Sequence, residues 1–116
     1  MKNNFEKLNI WKDAVELAVQ VNELMSDSKY YSLKDQMLRS SISVPSNIAE
    51  GCERQYPKEF ERFLTIAAGS CGEIRTQLIL AARFKEIDES ESLELLEKYR
   101  SLSAQIFSSK KKVKQT

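Results

Sequence analysis

Arg39-Ser40-Ser41-Ile42-Ser43-Val44-Pro45-Ser46-Asn47-Ile48-Ala49-Glu50-Gly51 sets a proline among residues that repeat with helical spacing, and surrounds it with hydroxyl side chains. In a helix, Pro45 removes one backbone donor and crowds the carbonyl of Ser41, at a cost of about 3 kcal/mol. Two readings fit. The segment is either a break between two helices with a polar loop, or one helix bent at Pro45 whose freed groups are satisfied by Ser41, Ser43, Ser46 and Asn47.

Apolar spacing extends the pattern in both directions. Upstream, Ser32 with Asp35 three residues later resembles a capping box that opens this second helix. Met37, Leu38, Ile42, Ile48 and Ala49 give it an apolar side, and Gly51 is a C-terminal stop. Downstream, Pro57 suits the first turn of a third helix, although Tyr56 stands where a Ser or Asp cap is expected. Phe60, Phe63 or Leu64, Ala67, Cys71, Ile74, Leu78 and Ala81 follow a near-heptad alternation.

The two outer helices follow the same logic. Asn9 is a competent N-cap for a first helix ending near Ser26, with stripes Trp11-Ala14-Ala18-Val21-Met25 and Ile10-Leu17-Leu24. Asp88 with Glu91 opens a fourth helix, whose inner stripe is Leu95 or Leu96, Tyr99, Leu102 and Ile106. Short connections make consecutive helices antiparallel neighbours. The expected fold is all-α: an antiparallel up-down-up-down four-helix bundle over 1–109, with helix 2 kinked at Pro45, followed by a flexible basic tail over 110–116.

Composition agrees with this and narrows the function. A chain of 116 residues with 41% hydrophobic and 30% charged residues is one ordinary globular domain. No apolar run approaches a membrane span and the N-terminus lacks a signal-peptide core, so a cytoplasmic location is expected. The absence of histidine removes the commonest general base near neutrality and every Ser-His or Cys-His nucleophile pair. Cys52 and Cys71 are two isolated, reduced thiols, and no zinc or di-iron ligand spacing occurs. No enzymatic activity, cofactor, metal or small-molecule substrate is expected.

The formal charge of +1 hides an asymmetry. Four of the 18 basic residues are Lys110, Lys111, Lys112 and Lys114; the 14 left before them face 17 acids. A near-neutral body with a basic end is not the profile of a dedicated DNA-binding domain, but it allows a local nucleic-acid patch. Arg54, Lys58 and Arg62 around the second connection, with Lys110, Lys111 and Lys112, are the candidate contacts; an ordinary solvated surface is the other reading. Tyr30, Tyr31 and Tyr56 fall at helix ends, where they can stack bases or close the bundle.

Register supplies one more expectation. Each glycine in Ala67-Ala68-Gly69-Ser70-Cys71-Gly72 costs a helix interior up to about 1 kcal/mol, which close approach of another backbone can offset. A turn centred near residue 55 brings Gly69 and Ser70 level with Ser40 and Ser41, and Arg39 near Glu73 as an ion pair.

The Pro45 segment, with Glu59-Phe60 and Arg62-Phe63-Leu64-Thr65-Ile66-Ala67-Ala68-Gly69-Ser70, resembles the signature of the 23S rRNA intervening-sequence proteins, small bacterial four-helix-bundle proteins. The likeness extends to Leu8-Asn9-Ile10-Trp11-Lys12-Asp13-Ala14 and Leu33-Lys34-Asp35-Gln36-Met37-Leu38-Arg39. The resemblance implies a non-enzymatic bundle that assembles as a homopentamer and engages RNA, a ribonucleoprotein or a nucleic-acid-processing protein. A protein-interaction scaffold without a nucleic-acid role is the alternative. The resemblance also marks Arg39, Ser43, Pro45, Asn47, Glu50, Gly51, Phe63 and Gly69 as signature positions with a structural role. Glu73 joins them as the partner expected for Arg39.

Overall fold

The computed structural model describes residues 4–115. A 3-10 turn, Phe5–Lys7, precedes four helices: α1 (Asn9–Leu24), α2 (Tyr31–Glu53), α3 (Pro57–Arg83) and α4 (Glu89–Lys114). At 1.5 Å per residue α3 is about 40 Å long and α1 about 24 Å, and the molecule measures 46 × 20 × 19 Å. Each helix packs antiparallel to the next, and α1 closes the bundle against both α2 and α4. Because α1 is the shortest, the end formed by the close of α2, the start of α3 and the close of α4 extends past it.

The core follows the expected stripes. Ile10, Ala14, Leu17, Val21 and Met25 of the α1 segment meet Leu33, Met37, Val44 and Ile48 of α2. Leu64, Ala67, Cys71, Ile74, Leu78 and Ala81 of α3 meet Leu95, Leu96, Tyr99, Leu102 and Ile106 of α4. On α1 the two expected stripes merge into one buried face, and Trp11 and Ala18 lie at its edge. On α2, Ile42 is 56% exposed, and Ser40 and Ser41 take the inward positions instead.

α2 is a single helix through Pro45, so the loop-break reading is excluded. Local hydroxyl and amide bonds accompany the proline. Ser41 Oγ donates to the Leu38 carbonyl at 2.9 Å, and Asn47 Nδ2 donates to the Ser43 carbonyl at 2.8 Å and to Ser43 Oγ at 2.9 Å. Asn47 therefore serves a carbonyl two residues beyond the one that Pro45 leaves without its partner.

Helix ends differ more from expectation than helix faces do. α1 starts at Asn9 itself, with Leu8 as an N-cap that makes no side-chain bond. α2 starts at Tyr31, so Ser32 lies inside it and caps nothing. Gly51 is not a stop either; it is buried inside α2, which runs on to Glu53. The Asp88 cap forms as expected, its carboxylate accepting from the backbone of Ser90 at 3.1 Å and of Glu91 at 3.2 Å. The Ser90 hydroxyl, followed by those backbone bonds, holds the Asp88 carboxyl below its ordinary range.

Of the segment expected as a flexible tail over 110–116, residues 110–114 are helical, and Thr116 lies outside the described residues. α4 continues to Lys114, with Val113 half-buried against the core. Two forces extend it. Val113 continues the Tyr99-Leu102-Ile106 face, and Lys111, Lys112 and Lys114 complement the negative pole at the helix C-terminus.

The opposite end is closed by side chains. α3 terminates with Lys85 at φ 63°, the Lys85 amide donating to the Ala82 carbonyl at 3.0 Å and the Glu86 amide to the Ala81 carbonyl at 2.9 Å. This is a Schellman arrangement with lysine in the position that favours glycine. Ser28 Oγ donates to Glu86 Oε1 at 2.6 Å, and Tyr30 stacks on Phe84 with ring centroids 5.4 Å apart. Tyr30 thus closes a bundle end.

Candidate functional site

The signature positions spread along the α2–α3 seam. Ser43 and Ser70 meet there with hydroxyl oxygens 2.8 Å apart, so the register places Ser70 about one turn further along α2 than expected. Gly51 is where the backbones come closest. A Cβ at position 51 would lie 2.7 Å from Phe63 Cβ and 3.0 Å from Phe60 Cδ1. Gly69, expected to be the close-packing glycine, is exposed with nothing within 4 Å of an added Cβ.

Arg39 and Glu73 are both exposed, and no ion pair joins them. Their heights along the bundle agree with the pairing, but each side chain sits on the outer face of its helix.

The basic candidates converge on the end that extends past α1. Arg54 closes α2, Lys58 and Arg62 open α3, and Lys110, Lys111 and Lys112 end α4. Arg54 and Lys112 rim a pocket of about 280 Å³ whose walls are Gln55, Tyr56, Pro57, Phe60 and Val113. On the other side of Pro57, Lys58, Arg62 and Lys114 line a second pocket, of about 430 Å³, with Glu61 and Thr65.

Charge at this end is unevenly committed. Arg54 pairs with Glu50 at 3.1 Å and approaches Glu59 at 3.9 Å. Arg62 pairs with Glu59 at 3.3 Å, and both guanidiniums lie over the Phe63 ring, 5.2 Å and 4.6 Å from its centroid. The hydrogen bond from Arg62, with the charges of Arg62 and Arg54, holds the Glu59 carboxyl below its ordinary range. Lys110 lies 5.1 Å from the Phe107 centroid. Among the described residues, no carboxylate lies within ion-pair distance of Lys58, Lys110, Lys111, Lys112 or Lys114. These lysines are the cations of this end that no described carboxylate pairs.

The sequence reading did not place Lys114 beside Lys58 and Arg62, and it missed the pocket that Tyr56 forms with Phe60 and Val113. The signal was present, because Val113 stands seven residues after Ile106 and continues the inner stripe. The thiols sit elsewhere. Cys71 is fully buried, and burial pushes it up to about 11; Cys52 is raised in the same direction by burial and by Glu53. Neither is an activated nucleophile. Among the described residues no cluster of three Cys, Asp or Glu could hold a metal ion, and no helix is long and apolar enough to cross a membrane.

A crystal structure of a protein of unknown function, from the S23 ribosomal protein family of Bacteroides thetaiotaomicron, shares this fold with a TM-score of 0.82 at 24% identity. The superposition covers 88% of this chain and 98% of that one. No curated protein matches. The family model described as 23S rRNA-intervening sequence protein matches residues 6–108, nearly the whole bundle, and the chain belongs to that family.

Proposed function

We propose that this protein is a non-enzymatic, oligomeric helix bundle that binds RNA, alone or in a ribonucleoprotein, through the basic end of the bundle. The observation that carries the reading is the meeting of Lys58, Lys110, Lys111, Lys112 and Lys114, none of them ion-paired, at the junction of three helix termini. Sequence-independent contact with phosphates needs several unpaired cations at one end of the molecule. The family name, which refers to an insert in ribosomal RNA, points to the same ligand.

Assembly strengthens a weak patch, since a ring repeats it in every subunit. Val19 of α1 and Ile42 of α2 are 45% and 56% exposed on adjacent helices, apolar side chains that contact between copies would bury. A homopentamer in the cytoplasm is our reading, and light scattering should return about five times the 13.4 kDa of one chain. A mass of one chain would overturn the assembly; a dimer would overturn only the pentamer.

The test of RNA binding is a gel shift of the purified oligomer with ribosomal insert RNA and with random RNA across a salt series. Binding should fall log-linearly with salt, and replacing Lys110, Lys111 and Lys112 by Gln should flatten the slope. No shift with either RNA at about 50 mM salt would overturn the reading. A protein-interaction scaffold without nucleic acid is the second reading. It is favoured by the commitment of Arg54 and Arg62 to Glu50 and Glu59.

A further inference from the structure

We infer that the pocket between the α2–α3 connection and the end of α4 takes an unpaired base of an RNA strand, stacked on Tyr56, while the flanking phosphates lie on Lys112 and the neighbouring lysines. This rests on the RNA-binding reading and narrows its ligand from any RNA to a single-stranded segment.

The pocket's chemistry selects the occupant. Tyr56, Pro57, Phe60 and Val113 supply an apolar interior of about 280 Å³. Arg54, Gln55 and Lys112 supply the polar rim, and no carboxylate lines the pocket. A flat, weakly polar ring carried on an anionic chain matches both parts. An apolar peptide side chain would fill the interior but leave Lys112 without a partner, since Arg54 alone of the two rim cations is paired, with Glu50. A duplex offers its phosphates but keeps its base faces stacked out of reach.

Tyr56 is already placed for stacking. It is 70% exposed although its backbone is fixed as the extended N-cap of α3 and followed by Pro57. Its carbonyl accepts from the amides of Glu59 at 3.0 Å and Phe60 at 3.1 Å. The ring is thus accessible on a backbone that is already fixed, so binding orders the side chain alone. Stacking tolerates any base, so the pocket selects strandedness rather than sequence.

The test is fluorescence anisotropy with a labelled single strand of about 12 nucleotides and with the same strand annealed as a blunt duplex. The parent should bind the single strand at least tenfold more tightly. Tyr56→Ala should weaken single-strand binding about ten- to hundredfold and leave the duplex unchanged, whereas Tyr56→Phe should keep the preference. Tyr56 is exposed, and an unchanged circular dichroism melt confirms that the variant is folded. Lys112→Gln should lower the salt slope for both ligands. Equal affinity for single strand and duplex, or full single-strand affinity in Tyr56→Ala, overturns the stacking inference and leaves the RNA reading standing. Binding of neither ligand overturns both.

Discussion

Gly51 and Phe63 approach so closely that a methyl group on Gly51 would sit 2.7 Å from the Phe63 Cβ. The contact point is the root of the phenylalanine side chain, which moves only with the α3 backbone. Gly51→Ala should therefore destabilise the bundle by about 1 to 3 kcal/mol, despite the higher helix propensity of alanine. Gly69→Ala should do the opposite and stabilise by about 0.5 to 1 kcal/mol, because nothing lies within 4 Å of the added group. Urea unfolding of the two variants checks the pair; equal signs would contradict the assigned packing.

Asn47 ties the region around Pro45 to α3 through Ser43. Its amide donates to both oxygens of Ser43, whose hydroxyl meets Ser70. Asn47→Leu should cost about 1 to 3 kcal/mol by leaving half-buried acceptors unserved. Pro45→Ala should remain folded and be less harmful. A double-mutant cycle of Ser43→Ala and Ser70→Ala should give a coupling of about 0.5 to 1.5 kcal/mol. Additive effects would remove the hydroxyl pair from the account of the seam.

Apolar spacing made the four helices and most of the core legible, because Leu64, Ala67, Cys71, Ile74, Leu78 and Ala81 have one periodicity that only one buried face satisfies. Register and rotation were not legible to the same depth. A connection centre misplaced by about one and a half residues shifts the facing pairs by twice that, so Ser70 meets Ser43 rather than Ser40. Gly51, read as a stop, turned out to be the point of close packing, because glycine serves both uses and only the neighbouring helix distinguishes them. The basic patch is spread over more than fifty residues of sequence. It becomes a surface only once antiparallel topology brings the end of α4 beside the start of α3.

Lys85 holds a left-handed conformation at φ 63°, in the position that ends α3. Lys85→Gly relieves the Cβ crowding there and should stabilise the fold by about 0.5 to 1 kcal/mol. Lys85→Val should destabilise it, since a branched Cβ is worst in that region. Thermal melts of both variants against the parent check the order.

Burial of Cys71 makes stability depend on alkaline pH. Its thiol is raised from an ordinary 9.0 to about 11 by burial, opposed weakly by Arg75. The unfolded chain therefore loses this proton first. The stabilisation is fully present below about pH 9 and is lost as pH rises to about 11. Over that window Cys71 should account for a loss of about 2 to 3 kcal/mol. Tyr99, also raised by burial, pushes in the same direction at higher pH. Urea unfolding at pH 8 and pH 10.5 should show a steeper decline in the parent than in Cys71→Ala, whatever the variant's starting stability.

The last turns of α4 distinguish a structural helix end from an appended charge. Val113 is half-buried on the core, while Lys111, Lys112 and Lys114 lie beside the final carbonyls. Val113→Ser should cost about 1 kcal/mol through lost apolar burial. Lys→Glu at 111 or 112 should cost about 0.3 to 1 kcal/mol each, by placing negative charge at the negative helix pole. Truncation after Ser109 removes both effects, so it should lower Tm by several degrees, at about 4 °C per kcal/mol for a domain of this size. Lys→Gln at 110, 111 and 112 keeps Val113 and loses only charge at the helix pole, so it should lower Tm by less than truncation does. A truncated chain that melts with the parent would mean that Val113 contributes nothing to the core. The glutamine variant separates that structural effect from the electrostatics of RNA binding, which truncation alone would confound.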